Sequence, residues 1–292
     1  MSRFEPLAAF WADFRLNRVA VGAAAVVAVI LLLALAAPLI TPQNPYDLAS
    51  LSLGDARRPP GYVGTDGYTH WLGTDGDGRD LYSAIVYGLR VSLQVSLFAG
   101  AVALLAGGIL GAGAAFVGGR IEALVMRLVD LQLSFPAILV ALVLASIMGQ
   151  GKTGLVIALI AAQYAYFART AHGAAVAERG KEYVEAALSI PLSPQRVVLR
   201  HVLPNCLSPL IVVATIQIAY AISLEATLSF LGLGLPPTEP SLGLLIANGF
   251  QYMLSGRYWI SFYPGLALVV LIVAINLVGD QLRDQWNPRL RR

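Results

Sequence analysis

The 292 residues are 57% hydrophobic and only 13% charged, with a formal net charge of +3. Soluble domains carry about a quarter charged residues, so this composition excludes an ordinary water-exposed globule and points to a bilayer. The small net charge gives no reason to expect a nucleic-acid partner, and the single cysteine, Cys206, excludes a disulfide framework or a thiolate metal cluster. It lies in an apolar stretch and reads as a small buried side chain.

A helix needs about 20 apolar residues to cross the hydrocarbon. Six such runs are predicted, over 19–40, 83–117, 121–148, 155–170, 207–231 and 259–278. They are continuous and not alternating, which excludes a strand barrel. Helices remain, because a helix satisfies its own backbone in lipid. The expected fold is all-α and polytopic, with six transmembrane helices.

The first run follows Arg15 and Arg18 and contains Ala34-Leu35-Ala36, which looks like a cleavage site. It is longer than the 7–15 residues of a secretory core, so an uncleaved anchor is expected. Residues 1–40 then form an N-terminal cytoplasmic segment with the first span. Residues 41–82 form an extracytoplasmic loop and 83–292 a five-helix core. Within the loop, Arg57-Arg58-Pro59-Pro60-Gly61 reads as extended or turn-forming chain. Alternating carboxylates and glycines from Thr74 to Asp80 resemble a calcium loop, but Arg79 and Val86 occupy ligand positions. The better reading is a polar turn whose Asp80 caps a helix starting near Leu81.

Further along, Gly107, Gly108, Gly111 and Gly113 permit close helix packing. Arg127 and Asp130, three apart on one helix, are expected to pair with each other. Pro136 and Pro209 are expected to kink or start their spans. The run Gly149-Gln150-Gly151-Lys152-Thr153 looks like the end of a phosphate loop. Ser146 stands where that loop needs glycine, and an apolar helix precedes it where a strand belongs, so it reads as a turn between spans. Glu225 lies inside the fifth run with no local basic partner. An ionisable group there faces a bundle interior or a watery cavity, which makes it a translocation-pathway candidate. Lining the pathway and hydrogen bonding between helices both stay open.

Lysine and arginine collect on the cytoplasmic side of a multi-span protein. With the N-terminus inside, that side holds most of the 20 basic residues, against Arg57, Arg58, Arg79, Lys152 and Arg257 opposite. Both termini are therefore expected in the cytoplasm. The histidines, His70, His172 and His201, lie far apart, and no GxSxG, HExxH or CxxC occurs. No catalytic, metal or cofactor site is expected on this chain.

The cytoplasmic segment 174–204 is the most informative. Tyr183, Val184, Ala187, Leu188 and Ile190 recur on one helical face, with Glu182, Glu185 and Ser189 elsewhere. Pro191 ends that helix, and Ser193 with Pro194 starts another. Two short amphipathic helices joined by a tight bend form a protruding surface suited to docking.

Glu185-Ala186-Ala187 with the later Leu203-Pro204 resembles the EAA loop of ABC-importer permeases. Three further segments narrow the resemblance: His70-Trp71-Leu72-Gly73-Thr74-Asp75 with Gly78-Arg79-Asp80; Leu228-Ser229-Phe230-Leu231-Gly232-Leu233-Gly234; and Gly279-Asp280 with Leu282-Arg283-Asp284 and Asn287-Pro288-Arg289-Leu290. Together they resemble the C-type permease subunit of dipeptide, oligopeptide and nickel importers. The resemblance implies a type I ABC-importer permease fold in a bacterial inner membrane. It also implies a second homologous permease, two ATPase subunits using ATP and Mg, and an extracytoplasmic solute-binding protein. Contact with the ATPases is implied for Glu185, Ala186, Ala187, Leu188, Pro191, Leu192, Ser193 and Arg196. Pro191 replaces a glycine usual in the family and forbids the positive φ that glycine permits. The implied cargo is dipeptides or oligopeptides, with nickel chelates and other small solutes as alternatives. An ion-gradient-driven transporter would instead show inverted repeats with polar midplane residues, and no such repeat is evident.

Overall fold

The computed structural model describes residues 14–47, 51–65, 67–182 and 203–286. Among these, the main helices are α1 (Arg18–Ile40), α2 (Leu81–Val117), α3 (Gly119–Leu133), α4 (Ala137–Met148), α5 (Lys152–Arg179), α6 (Leu203–Phe230), α7 (Leu242–Phe250) and α8 (Trp259–Trp286). Five of them, α1, α2, α5, α6 and α8, are long and apolar enough to cross a membrane, and α3 with α4 makes a sixth candidate.

Local chemistry sets the ends. Asn17 caps α1 by accepting from the amides of Val19 and Ala20. Asp80 caps α2 as expected, accepting from the Ser83 amide, which satisfies one of the donors a helix start leaves open. At 37 residues α2 is about 55 Å long, so it overruns the hydrocarbon and its first turns belong to the loop end. The turn between α4 and α5 uses Gly149 (φ 77°) and Gly151 (φ 142°), conformations that disfavour side chains.

The predicted third span is not straight. It breaks into α3 and α4, bent by 90°. The cause lies in the Ser134-Phe135-Pro136 link, where Pro136 supplies no amide to continue α3 and serves as the N-cap of α4. Pro209 is carried inside α6.

Packing centres on α2. Small residues bring its backbone onto α5: a Cβ on Gly107 would sit 2.8 Å from Phe167 Cβ, and one on Gly111 2.8 Å from the Ala168 carbonyl carbon. These contacts run in the same direction along both helices, so α2 and α5 are parallel. On another side, Gly108 faces Leu210 and Gly100 faces Ile218, which makes α6 antiparallel to α2. The core forms three main clusters. Leu81, Ile85 and Leu89 pack with Ile222, Leu242 and Ile260. Val91, Val95 and Ala99 pack with Leu155, Leu159 and Leu228. Ala103 and Ala112 pack with Phe167, Cys206 and Leu210, and Cys206 is buried there as a free thiol.

The loop before α2 folds onto a two-stranded ribbon, β1 (Tyr62–Val63) and β2 (Thr69–His70). Asp55 is buried and accepts from Tyr62 Oη at 3.0 Å and from the Thr65 hydroxyl and amide. His70 Nδ1 faces Asp80 Oδ1 at 3.1 Å, and Asp80 Oδ2 accepts from Ser83. The loop is thereby tied to the first turn of α2.

Candidate functional site

Glu225 of α6 is fully buried. Its Oε1 accepts from the Ser229 hydroxyl at 2.8 Å, one turn further along α6. The Ser92 hydroxyl of α2 and the Ser241 hydroxyl at the start of α7 lie beside the same carboxyl group. The group stands where three helices meet, because the missing side chain of Gly243 lets α7 press onto the Ala226 backbone.

A second polar site is open. At the loop end of the bundle, a recess of about 580 Å³ is lined by Tyr46, Tyr87, Arg90, Gln94, Lys152 and Glu239, with Val91 and Thr238. Nothing in the sequence pattern joins all of its residues: Arg90 is a charge within an apolar run, Lys152 stands in the turn before another, and Glu239 sits among the prolines of 236–240. The usable signal was Arg90 and Gln94 four apart on one face of α2.

The walls of this recess are fixed from behind. Arg79 is buried, and its guanidinium lies against Asp75 and Asp77 while donating to the Pro237 carbonyl at 3.0 Å. This holds the turn carrying Thr238 and Glu239. Asp75 in turn accepts from the Asp77 and Arg79 amides, which makes the polar turn read from the sequence. Opposite, the Gly151 amide donates to the Gly234 carbonyl and the Gln150 side chain to that of Gly232, setting Lys152 against the same turn. Lys152 Nζ and Glu239 Oε2 are 3.8 Å apart and both about half exposed, a geometry that contributes little stability. Among the described residues, Arg90 has no ion-pair partner.

Tyr46 packs edge-on to Tyr87, with ring centroids 5.0 Å apart. Burial, reinforced by the Glu239 carboxylate, pushes the Tyr46 phenol up to about 12, so it stays a neutral donor. The burial of Asp75 raises its carboxyl to about 6 despite the opposing Arg79 charge.

At the other end of the bundle the expected Arg127–Asp130 pair does not form. Asp130 is bound by Arg169 of α5. Spacing along α3 relates neighbours on that helix alone, whereas α3 packs on α5, which offers Asp130 a partner across the interface. His172 Nε2 and Glu122 Oε1, 2.6 Å apart, make a second link between these helices, and Arg179 donates to the Ala115 carbonyl at 3.0 Å. The predicted ATPase-contact residues Glu185, Ala186, Ala187, Leu188, Pro191, Leu192, Ser193 and Arg196 lie outside the described residues.

The described geometry is that of a bundle with a charged mouth and a braced interior. Residues 76–292 match the family of binding-protein-dependent transport system inner membrane components. The chain belongs to that family. Residues 5–60 match the N-terminal transmembrane domain of oligopeptide transport permease C, which makes the chain a C-type permease subunit of an ABC importer, multi-pass in the inner membrane.

A relative in Brucella suis, assigned to a peptide transport system as a permease, is 40% identical over 263 residues, covering 90% of this permease and 85% of that protein. The di/tripeptide transport system permease protein DppC of Pseudomonas aeruginosa is 35% identical over 286 residues, or 98% and 93% of the two chains. The dipeptide permease DppC of Haemophilus influenzae is 33% identical, covering 98% and 96%. The inward-facing MetNI methionine ABC transporter superposes with a TM-score of 0.57 at 19% identity, over 70% of this permease and 97% of that chain. That likeness shows the type I importer permease fold alone.

Proposed function

We propose that this permease carries peptides, dipeptides or short oligopeptides first, across the inner membrane as half of an ATP-driven translocation pathway. The observation that carries the reading is the near-complete coverage by peptide and dipeptide permeases of the same C-type branch. A second homologous permease supplies the other half. Two ATPase subunits bind ATP and Mg on the cytoplasmic side, and an extracytoplasmic binding protein delivers the cargo. Both termini are cytoplasmic in this reading, which puts the recess around Arg90 on the outer face.

The mechanism is alternating access. Closure of the ATPase pair on ATP is transmitted through 185–195 into α5 and α6, and the outer face opens to receive solute. The segment must bind one ATPase state better than the other, since equal affinity shifts nothing. Of the two roles left open for Glu225, bracing between α2, α6 and α7 is supported by its burial and by the Ser92 and Ser241 hydroxyls of the neighbouring helices beside it.

The test is co-purification of the tagged chain from its own membrane under gentle solubilisation, with partners identified by mass spectrometry. A second permease and ATPase subunits are expected. Recovery of the chain alone, moving solute in liposomes without ATP, would overturn the reading.

A further inference from the structure

The outer recess is charged in a particular way. It presents the Arg90 guanidinium, the Lys152 ammonium and the Glu239 carboxylate, with the Gln94 amide and the neutral Tyr46 phenol between them. A charge within an apolar span is costly and is placed against protein or water. Two cations and one anion leave an excess positive charge. The Lys152–Glu239 pair, wide and half exposed, is easily opened by a competing ion, while Arg90 has no acidic partner among the described residues. A guanidinium is the side chain suited to grip a carboxylate with two parallel hydrogen bonds. The volume, about 580 Å³, falls in the range of small-ligand sites, about 300–1,000 Å³.

Below the mouth the character changes. A second hollow of about 380 Å³ shares Gln94 and Lys152 with the recess and continues along Val95, Phe98 and Val156. Along α2, Arg90, Gln94 and Phe98 follow one another at one-turn spacing, so the surface runs from charged to amide to aromatic.

We propose that this recess is a recognition subsite for a zwitterionic solute with a free carboxylate. The carboxylate is held by Arg90 with Lys152, the ammonium by Glu239, and the side chains lie toward Phe98 and Val156. The proposal rests on the importer reading and gives it a chemical basis on this chain: the permease itself reads the charged ends common to all short peptides. Those ends do not vary between peptides, so one fixed set of charges serves many sequences.

The experiment uses the complete transporter, with partner permease, ATPases and binding protein, in liposomes, and the probe is a dialanine peptide with free termini. Wild-type uptake must require ATP; absence of any ATP-dependent uptake counts against the importer reading and not against the subsite alone. With that established, Arg90→Gln is expected to lower uptake about tenfold, the scale of one lost charge-assisted contact. Arg90→Lys, which keeps the charge but not the paired hydrogen bonds, is expected to fall between Arg90→Gln and the wild type, and recovery of the intact complex checks the assembly of both variants. Glu239→Gln, on the facing wall, is read in the same assay, so a failure of the Arg90 variants to assemble does not end the test. Uptake at the wild-type rate in Arg90→Gln and Glu239→Gln overturns the proposal. Equal loss in Arg90→Gln and Arg90→Lys also overturns it, because a purely structural arginine would behave that way.

Discussion

The Cα of Gly111 lies so close to Ala168 that a single added carbon would stand 2.8 Å from the Ala168 carbonyl carbon and closer still to its oxygen. The obstacle is backbone, which cannot rotate away. Gly111→Ala is therefore expected to push α2 from α5 and lower stability by about 1–3 kcal/mol, the ordinary cost of overpacking. Gly113→Ala, with nothing within 4 Å of the new carbon, is expected to be neutral or stabilising by up to about 1 kcal/mol through helix propensity. Thermal unfolding of the two purified variants in detergent checks the contrast, and similar midpoints would contradict the tight parallel packing of α2 on α5.

Glu225 separates bracing from pathway lining. Removing a buried hydrogen-bonding group leaves its partners unsatisfied, at a cost of about 1–3 kcal/mol. Glu225→Ala is therefore expected to lower the unfolding temperature clearly, and Glu225→Gln less, since the amide oxygen still accepts from Ser229. Uptake per assembled transporter should hold in both. A changed KM for peptide with unchanged stability would place Glu225 in the pathway.

Two carboxylates in the loop before α2 respond to pH with opposite sign. The Asp75 carboxyl is raised by burial to about 6, so between its unfolded value, about 4, and 6 the folded loop holds a proton that the unfolded chain has lost. Stability from this group is full below about pH 4 and falls as pH rises to 6, by an amount on the order of 2–3 kcal/mol. The Asp55 carboxyl is held down mainly by the Thr65 hydroxyl, so its contribution is present above about pH 4 and lost on further acidification. Amide exchange at Asp77 and Arg79, corrected for intrinsic rates, should become more protected from about pH 7 to 5. Asp75→Asn should remove that slope; its persistence would show that another group is responsible.

The segment around Ala186 and Ala187 is expected to couple ATP hydrolysis to uptake. Ala186→Glu or Ala187→Glu should cut peptide uptake by about tenfold or more while hydrolysis by the assembled complex continues, because the docking surface no longer distinguishes ATPase states. Normal uptake in either variant would remove that role.

What was legible in the sequence followed from one-dimensional patterns. Continuous apolar runs located the long helices, and the Asp80 cap and a turn at Gly149–Gly151 were readable from residue type and spacing alone, although Lys152 and Thr153, read as part of that turn, already belong to α5. Features that depend on a second element were not. Asp130 has Arg127 three residues away, but its partner is Arg169 on α5, and only the packing of α3 against α5 reveals this. The 90° bend at Pro136 was readable as a break but not as an angle. The helix α7, nine residues long, is too short to register as a span, although Ser241 before an apolar run is a usable sign of its start. The recess draws on α2, the start of α5 and the turn after α6, which no window of sequence contains together.

Peptide uptake into liposomes containing this permease, its partner permease and the ATPase subunits, with binding protein outside, decides whether the chain is half of an ATP-driven importer. Accumulation is expected to require both ATP at the ATPase side and the binding protein, and to stop when either is omitted. Accumulation driven by an ion gradient with the ATPase subunits absent would contradict that role.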